Sequence, residues 1–160
     1  MDYKQGDPEE LKQKFWHALA DSPFVFLERK EQPDEAIVMT AKLDRDANSA
    51  IWFFTKRDNQ LARMGPAVCT FAAKGHQIFA RFEGVLSEET SRERLEKEWD
   101  RMTAAWYDQG KDDPNLLMLR LDLGDAEIWD SDLGLYHNTK MLLGGDVRDE
   151  AAEHHAKTSL

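Results

Sequence analysis

The chain has 160 residues, a formal net charge of −10 at neutral pH and one cysteine. A chain of this length forms a single domain with a hydrophobic core of its own. The net negative charge excludes DNA, RNA and anionic membranes as main partners, because clustered Lys and Arg side chains bind those surfaces. A local cationic pocket for a single phosphate is still compatible with this net charge.

The cysteine and the N-terminus indicate the compartment. Cys69 is alone, which excludes an intrachain disulfide and a cysteine zinc site, and its apolar neighbours predict a buried small residue. Residues 1–5 carry no apolar signal core, and no stretch approaches membrane-spanning length. We therefore expect a cytoplasmic protein.

A helix and three short strands are predicted first. Asp7 and Pro8 are typical of a helix start, and an apolar helical face follows them. Residues 24–27 predict a first strand. Two further strand-like runs, residues 36–42 and 50–55, are separated by a polar turn.

The second half is predicted to hold a hairpin and a long strand. Asp58 indicates a short capped helix. Residues 68–73 and 77–86 predict two strands of a hairpin around a tight turn. Apolar alternation predicts a strand over residues 117–129, with a bulge at residues 124–125.

A second helix is predicted between these strands. Thr90 and Glu93 form a capping box at its start. Spacings of four, three and four residues place its large apolar side chains on one face. That face consists of Leu95, Trp99, Met102 and Trp106.

The fold class is predicted to be mainly β, a small antiparallel barrel with peripheral helices. No glycine-rich phosphate loop joins a strand to a helix, which argues against a dinucleotide-binding α/β fold. The barrel domain is expected at residues 1–145, and residues 146–160, which lack aromatic side chains, are expected to be a mobile tail. His154 and His155 on this tail are not expected to bind a metal.

The aromatic strand at residues 50–55 is the first candidate for function. It ends at two adjacent cations, Lys56 and Arg57, followed by the helix start at Asp58. Such a strand edge offers backbone groups to a flat ring, and the cations offer charge to an anion at its end. The alternatives are a core strand and a solvated turn.

A second candidate lies on the strand at residues 77–86. Arg81 and Glu83 share one face, and aromatic residues flank Arg81. A surface ion pair is the alternative interpretation. Gly84, inside the same strand, indicates a bend or the close approach of another backbone.

Four short segments, taken in order, resemble the FMN-binding split barrel of the pyridoxamine-phosphate-oxidase-like family, and within it the bacterial general stress protein branch. The similarity extends over residues 8–143. The segments are Val38-Met39-Thr40-Ala41, Trp52-Phe53-Phe54-Thr55, Ala80-Arg81-Phe82-Glu83-Gly84 and Glu127-Ile128-Trp129.

The resemblance implies a homodimer with two FMN sites at the subunit interface, and FAD is a possible second ligand. One strand would line the flavin with Val38, Met39 and Thr40. Trp129 would lie near the ring and come from the other subunit. The remaining implied contacts are Trp52, Phe53, Phe54 and Thr55 beside the ring and ribityl chain, and Lys56 with Arg57 at the phosphate.

The chain departs from the family's oxidases in two places. Residues 58–63 lack their Ser-x-Lys phosphate clamp, and the His and Arg of their C-terminal substrate loop have no clear match. His137 is the nearest candidate, and with Arg81 it is proposed for substrate contact. We therefore do not expect oxidation of pyridoxamine phosphate. The open hypotheses are a flavin-dependent oxidoreductase that uses a nicotinamide nucleotide, a non-catalytic flavin-binding protein, and a cofactor-free interaction module.

Overall fold

The structure, a computed structural model, describes residues 7–44, 50–130 and 155–160. The α-helices in these ranges are α1 (Pro8–Asp21), α2 (Arg92–Glu98) and α3 (Arg101–Ala104), and 3₁₀ turns lie at Gln60–Arg63, Lys74–His76 and Gly110–Asp112. The strands are β1 (Phe24–Arg29), β2 (Ile37–Thr40), β3 (Ala50–Lys56), β4 (Gly65–Ala72), β5 (Ile78–Glu88), β6 (Leu116–Asp130) and β7 (His155–Ser159).

The strands form one antiparallel sheet that curls into a nearly closed barrel. Their order is β2-β1-β4-β5-β6-β3. A single backbone bridge between Lys42, just after β2, and Trp52 on β3 joins the two edges of this order. The mainly β barrel with helices outside confirms the predicted fold class. Among the helices of the described residues, none is long and apolar enough to span a bilayer.

The β5–β6 pairing contains the predicted bulge. Phe82 lies opposite Ala126, but Gly84 lies opposite Leu123, so β6 carries one extra residue at positions 124–125. Gly84 also confirms the predicted close approach, because a Cβ added there would lie 2.4 Å from a backbone oxygen of β6.

The barrel interior is closed by α1. The Asp7 side chain accepts a hydrogen bond from the N–H of Glu9, as expected for the N-cap. Phe15 and Leu19 are fully buried, and the Phe15 ring lies 5.2 Å from that of Phe82, centroid to centroid. The apolar face predicted for this helix therefore covers the barrel core.

The second predicted helix is broken. Trp99 has an extended backbone (φ −71°, ψ 133°), so α2 ends before it. Asp100 then begins α3, and its carboxylate accepts the N–H of Thr103 at 2.7 Å. Because an Asp in this position caps a new helix better than it continues an old one, the apolar face is divided. Met102 and Trp106, predicted to share the buried face, are 80% and 73% exposed.

The C-terminus differs from the predicted mobile tail. Residues 155–159 form β7, which pairs with β6, and Ala156 is fully buried. Its neighbours His155 and Lys157 are polar, so the strand has little hydrophobic alternation for sequence analysis to detect. Residues 146–154 lie outside the described ranges.

Candidate functional site

A cavity of about 520 Å³ lies on the outer face of the sheet. The described residues that line it come from β1, β2, β4, β5 and β6, and none comes from β3. Its main lining side chains are Phe24, Phe26, Val38, Phe79, Arg81 and Trp129. Three of the site residues predicted from the sequence thus meet in one place: Val38, Arg81 and Trp129.

Much of this lining is exposed apolar surface. Phe24 is 56% exposed, Phe26 is 53% exposed and Val38 is 61% exposed. Phe26 lies directly opposite Val38 in the β1–β2 pairing. We call this surface the aromatic face, defined by Phe24, Phe26, Val38, Phe79 and Trp129. Contiguous apolar surface of this kind marks contact with a ligand or a partner.

Arg81 lies at the rim of the cavity and is ion-paired. Its guanidinium is 3.1 Å from the Glu83 carboxylate, which also accepts a 2.7 Å hydrogen bond from Lys30. The hydrogen bond from Lys30, followed by that from Arg81, lowers the pKa of Glu83. The predicted alternative, a surface ion pair, therefore describes Arg81 within the protomer, although Arg81 also borders the cavity.

Trp129 is held in place by β7. Its ring stacks on that of His155 with centroids 5.4 Å apart and an interplanar angle of 20°. The His155 Nε2 atom is 2.9 Å from the Glu127 carboxylate. The C-terminal strand thus fixes the orientation of an aromatic side chain that lines the cavity.

The predicted β3 side chains are mostly committed to packing. Phe53 is fully buried in the main core, and Trp52 is 7% exposed. The Trp52 indole N–H donates to Glu89 at 3.0 Å, and the Arg94 guanidinium lies 3.9 Å from its ring centroid. Any ligand beside Trp52 and Phe53 would meet their backbone rather than their side chains.

The next two residues of β3 each contact an aromatic side chain of the segment that follows α2. The Phe54 ring packs edge-on against Trp99 at 5.6 Å. The Thr55 carbonyl accepts a 2.8 Å hydrogen bond from the Tyr107 hydroxyl. Burial, and to a smaller extent Asp113, raises the pKa of Tyr107 to about 12, so the phenol remains a neutral donor.

One backbone edge of β3 is open beyond the Lys42 bridge. The Trp52 N–H and C=O both bond to the Lys42 backbone, at 3.0 and 2.7 Å. Backbone groups alternate along a strand, so the N–H and C=O of Phe54 face the same edge. No described strand pairs with that edge past the bridge. Phe54 therefore offers one donor and one acceptor to a ligand.

The two cations at the end of β3 differ. The Lys56 side chain is exposed and has no carboxylate partner among the described residues. The Arg57 guanidinium lies 2.7 Å from Glu88. Lys56 is therefore the cation available to an anionic ligand group. We call Phe54, Thr55, Lys56 and Arg57 the strand-end group.

Met39 and Thr40, which were also predicted to contact the ligand, do not line the cavity. Met39 packs against the main core from β2, and Thr40 is exposed at the end of that strand. His137 lies outside the described residues. Sequence analysis did not select Phe24 and Phe26, although their alternation with Val25 and Leu27 was visible.

The described residues fit a flavin in three respects. The open edge at Phe54 matches the hydrogen-bonding edge of a flavin ring, the aromatic face matches its apolar surface, and Lys56 matches a phosphate. No three His, Cys, Asp or Glu side chains converge as a metal site within the described ranges.

Comparison with known proteins places the chain in a family. The model of the family described as "Pyridoxamine 5'-phosphate oxidase like" matches residues 10–148. The chain has no match among curated proteins.

Solved structures with the same fold include general stress proteins. A general stress FMN/FAD binding protein of Xanthomonas citri is 39% identical, with 79% of this chain and 93% of that chain covered and a TM-score of 0.72. A Jannaschia sp. CCS1 protein described as a candidate general stress protein 26 is 28% identical, with 96% and 100% covered and a TM-score of 0.80. General Stress Protein 26 of Bacillus anthracis is 15% identical, with 74% and 93% covered and a TM-score of 0.62, and shows the fold alone.

Proposed function

This chain belongs to the pyridoxamine 5'-phosphate oxidase-like family, and we propose that it is a stress-related FMN-binding protein that holds its flavin between two copies of the chain. The observation that carries the proposal is the edge of β3 that no described strand covers past the Lys42 bridge. It leads from the Phe54 backbone to the exposed Lys56 ammonium, which has no carboxylate partner among the described residues. The 39% identical relative that is named for FMN and FAD binding supports it.

Each part of the strand-end group has its own task in this proposal. Lys56 holds the phosphate, because a charge-assisted hydrogen bond is about twice as strong as a neutral one. The Phe54 backbone orients the polar edge of the ring. Arg57 can bind the phosphate only if its ion pair with Glu88 breaks. FMN is the expected ligand, and FAD, which carries the same first phosphate, is accepted as well.

The aromatic face is assigned to the second copy of the chain. The strand-end group and the cavity lie on different strands, so each protomer holds two separate parts of a site. A two-fold dimer apposes one part on each protomer with the other part on its partner. Burying Phe24, Phe26 and Val38 against a second copy also removes exposed apolar surface from water, at about 25 cal/mol per Å².

We propose hydride transfer from a reduced nicotinamide nucleotide as the reaction. A bound flavin supplies hydride acceptance at its N5 atom. No side-chain nucleophile is needed, and the thiol of Cys69 is unsuited to be one, because burial raises its pKa. Pyridoxamine phosphate is not expected to be a substrate, since the His and Arg of the oxidases' C-terminal substrate loop have no clear match in this sequence.

Two measurements test this function. Titration of FMN with the protein, followed by flavin fluorescence, should saturate in the micromolar range; no change at tens of micromolar protein would leave the cofactor-free interaction module as the better reading. Anaerobic mixing of the FMN-loaded protein with NADH or NADPH should bleach the flavin within seconds. Oxidised flavin that persists for an hour would favour a non-catalytic flavin-binding protein.

A further inference from the structure

The C-terminal strand β7 is anchored to β6 beside the cavity. Ala156 on β7 and Ile128 on β6 lie opposite each other in the pairing, and both are fully buried. The Leu160 N–H, just after β7, donates to the Gly124 carbonyl at 2.9 Å. The backbone of β7 therefore has a fixed position relative to the part of β6 that borders the cavity.

The outer face of β7 places an imidazole ring against a wall of the cavity. Trp129 on β6 lines the cavity and lies directly opposite His155 on β7. The two rings stack with an interplanar angle of 20°, and Trp129 keeps 39% of its surface exposed. His155 itself does not line the cavity. The imidazole thus covers one part of the indole and leaves another part open to a ligand.

Glu127 orients this imidazole. Its carboxylate lies 2.9 Å from the His155 Nε2 atom, and both side chains are partly shielded from solvent. A carboxylate only accepts hydrogen bonds, so Nε2 carries the hydrogen in this contact. In the strand pairing, Glu127 lies opposite Arg81 on β5 and Lys157 on β7. The imidazole is therefore held by its own strand and by a side chain of β6.

We propose that His155 is a positioning residue of the ligand site, which holds the Trp129 indole as a wall of the cavity in the orientation that contacts the ligand ring. This inference rests on the proposed flavin function, in which the cavity of one protomer faces the strand-end group of its partner, and it extends the site to β7. Stacked rings attract each other beyond their buried area. A side chain that is fixed before binding also removes an entropy cost from the binding step.

The first test measures the order of the indole without any ligand. The near-ultraviolet circular dichroism signal of Trp129 is the change that Trp129→Phe causes in each background. His155→Gln keeps a hydrogen-bond donor for Glu127 but has no ring, so this signal should largely disappear. His155→Phe keeps a stacking ring and should retain it. Ser159→Ala, also on β7 but outside the cavity lining, is the matched control and should leave it unchanged.

The second test measures the binding of FMN and of riboflavin, which has the ring but no phosphate. His155→Gln should weaken both by the same factor, about three- to tenfold, because the indole must then be ordered on binding. His155→Phe should restore most of the affinity. Adding His155→Gln to Trp129→Ala should cause no further loss, since His155 acts through the indole.

The outcomes separate this inference from the function on which it rests. If the wild-type protein binds neither flavin, both fail. If the wild-type protein binds FMN and His155→Gln binds it with unchanged affinity, the flavin function stands and the positioning role is refuted. A further loss when His155→Gln is added to Trp129→Ala, or a loss that His155→Phe does not recover, would also refute it. A thermal melt of each variant excludes loss of fold as the cause.

Discussion

Lys56 and Arg57 are adjacent cations with different surroundings. We therefore predict different losses of FMN affinity when each is replaced by alanine. Lys56→Ala should weaken FMN binding roughly ten- to a hundredfold and riboflavin binding hardly at all, because a hydrogen bond to a charged group contributes about 1.5–3 kcal/mol. Arg57→Ala should have a smaller effect, since Arg57 is paired with Glu88. Lys74→Ala, on the turn between β4 and β5, is the control for loss of a positive charge elsewhere. Equal losses for FMN and riboflavin would show that Lys56 does not contact the phosphate.

Asp100 is the residue that makes the stability of α3 dependent on pH. Partial burial opposes its ionisation, but hydrogen bonds from Lys42 and Thr103 outweigh burial and lower its pKa from 3.8 to about 2. Because the folded pKa lies below the unfolded value, the stabilisation is complete above pH 3.8 and is lost as the pH falls towards 2.

The corresponding test compares wild type with Asp100→Asn. Urea unfolding followed by tryptophan fluorescence should show a more stable wild type at pH 7, and this advantage should shrink between about pH 4 and pH 2. An advantage that stays the same over this range would mean that the Asp100 carboxylate does not hold α3.

Among the elements, the β5–β6 pair depends on the absence of a side chain at Gly84. A Cβ at this position would lie 2.4 Å from the Asp122 carbonyl oxygen and 2.8 Å from a Leu121 methyl carbon. Gly84→Ala should therefore cost about 1–3 kcal/mol of unfolding free energy, measured as a lower urea midpoint. Gly124→Ala is the matched control, because its nearest contact would be 3.8 Å from the Glu83 carbonyl. Similar losses in both variants would contradict the close approach.

Elements with strong periodicity were predictable from the sequence, and those governed by one polar side chain were not. The alternation in β6 and the apolar face of α1 follow from residues such as Leu119, Leu121 and Phe15, all fully buried. The break before Asp100 depends on a carboxylate that caps α3 and bonds to a lysine 58 residues away in the chain. Such a long-range partner leaves no periodic signal.

Only the part of the candidate site that depends on local sequence was predictable. The strand-end group follows from local sequence, because an aromatic strand that ends in cations is a short-range pattern. Predicting the cavity would require the order of strands in the sheet. That order brings Val38 on β2 and Trp129 on β6 to one face although β1, β4 and β5 lie between them. The exposure of Trp106 could be predicted only with knowledge of the helix break at Trp99 and Asp100.

For the whole molecule, the aromatic face predicts self-association. Phe26→Glu should convert a dimer into a monomer at micromolar concentration and weaken FMN binding, because a charge would replace an apolar contact at the interface. Val85→Glu is the control: Val85 is also 53% exposed but does not line the cavity. Light scattering gives the mass of each variant. A wild-type monomer, or a dimer that tolerates Phe26→Glu, would contradict this assignment of the face.

Mixed dimers show whether one flavin site is built from two copies of the chain. Lys56→Ala impairs the strand-end group, and Trp129→Ala impairs the aromatic face. If each site combines the two parts across the interface, a dimer of one variant with the other contains one intact site. We predict that co-expressed mixed dimers bind one FMN per dimer with wild-type affinity, while each variant alone binds weakly. Mixed dimers with no high-affinity site would show that the strand-end group and the aromatic face do not combine across the interface.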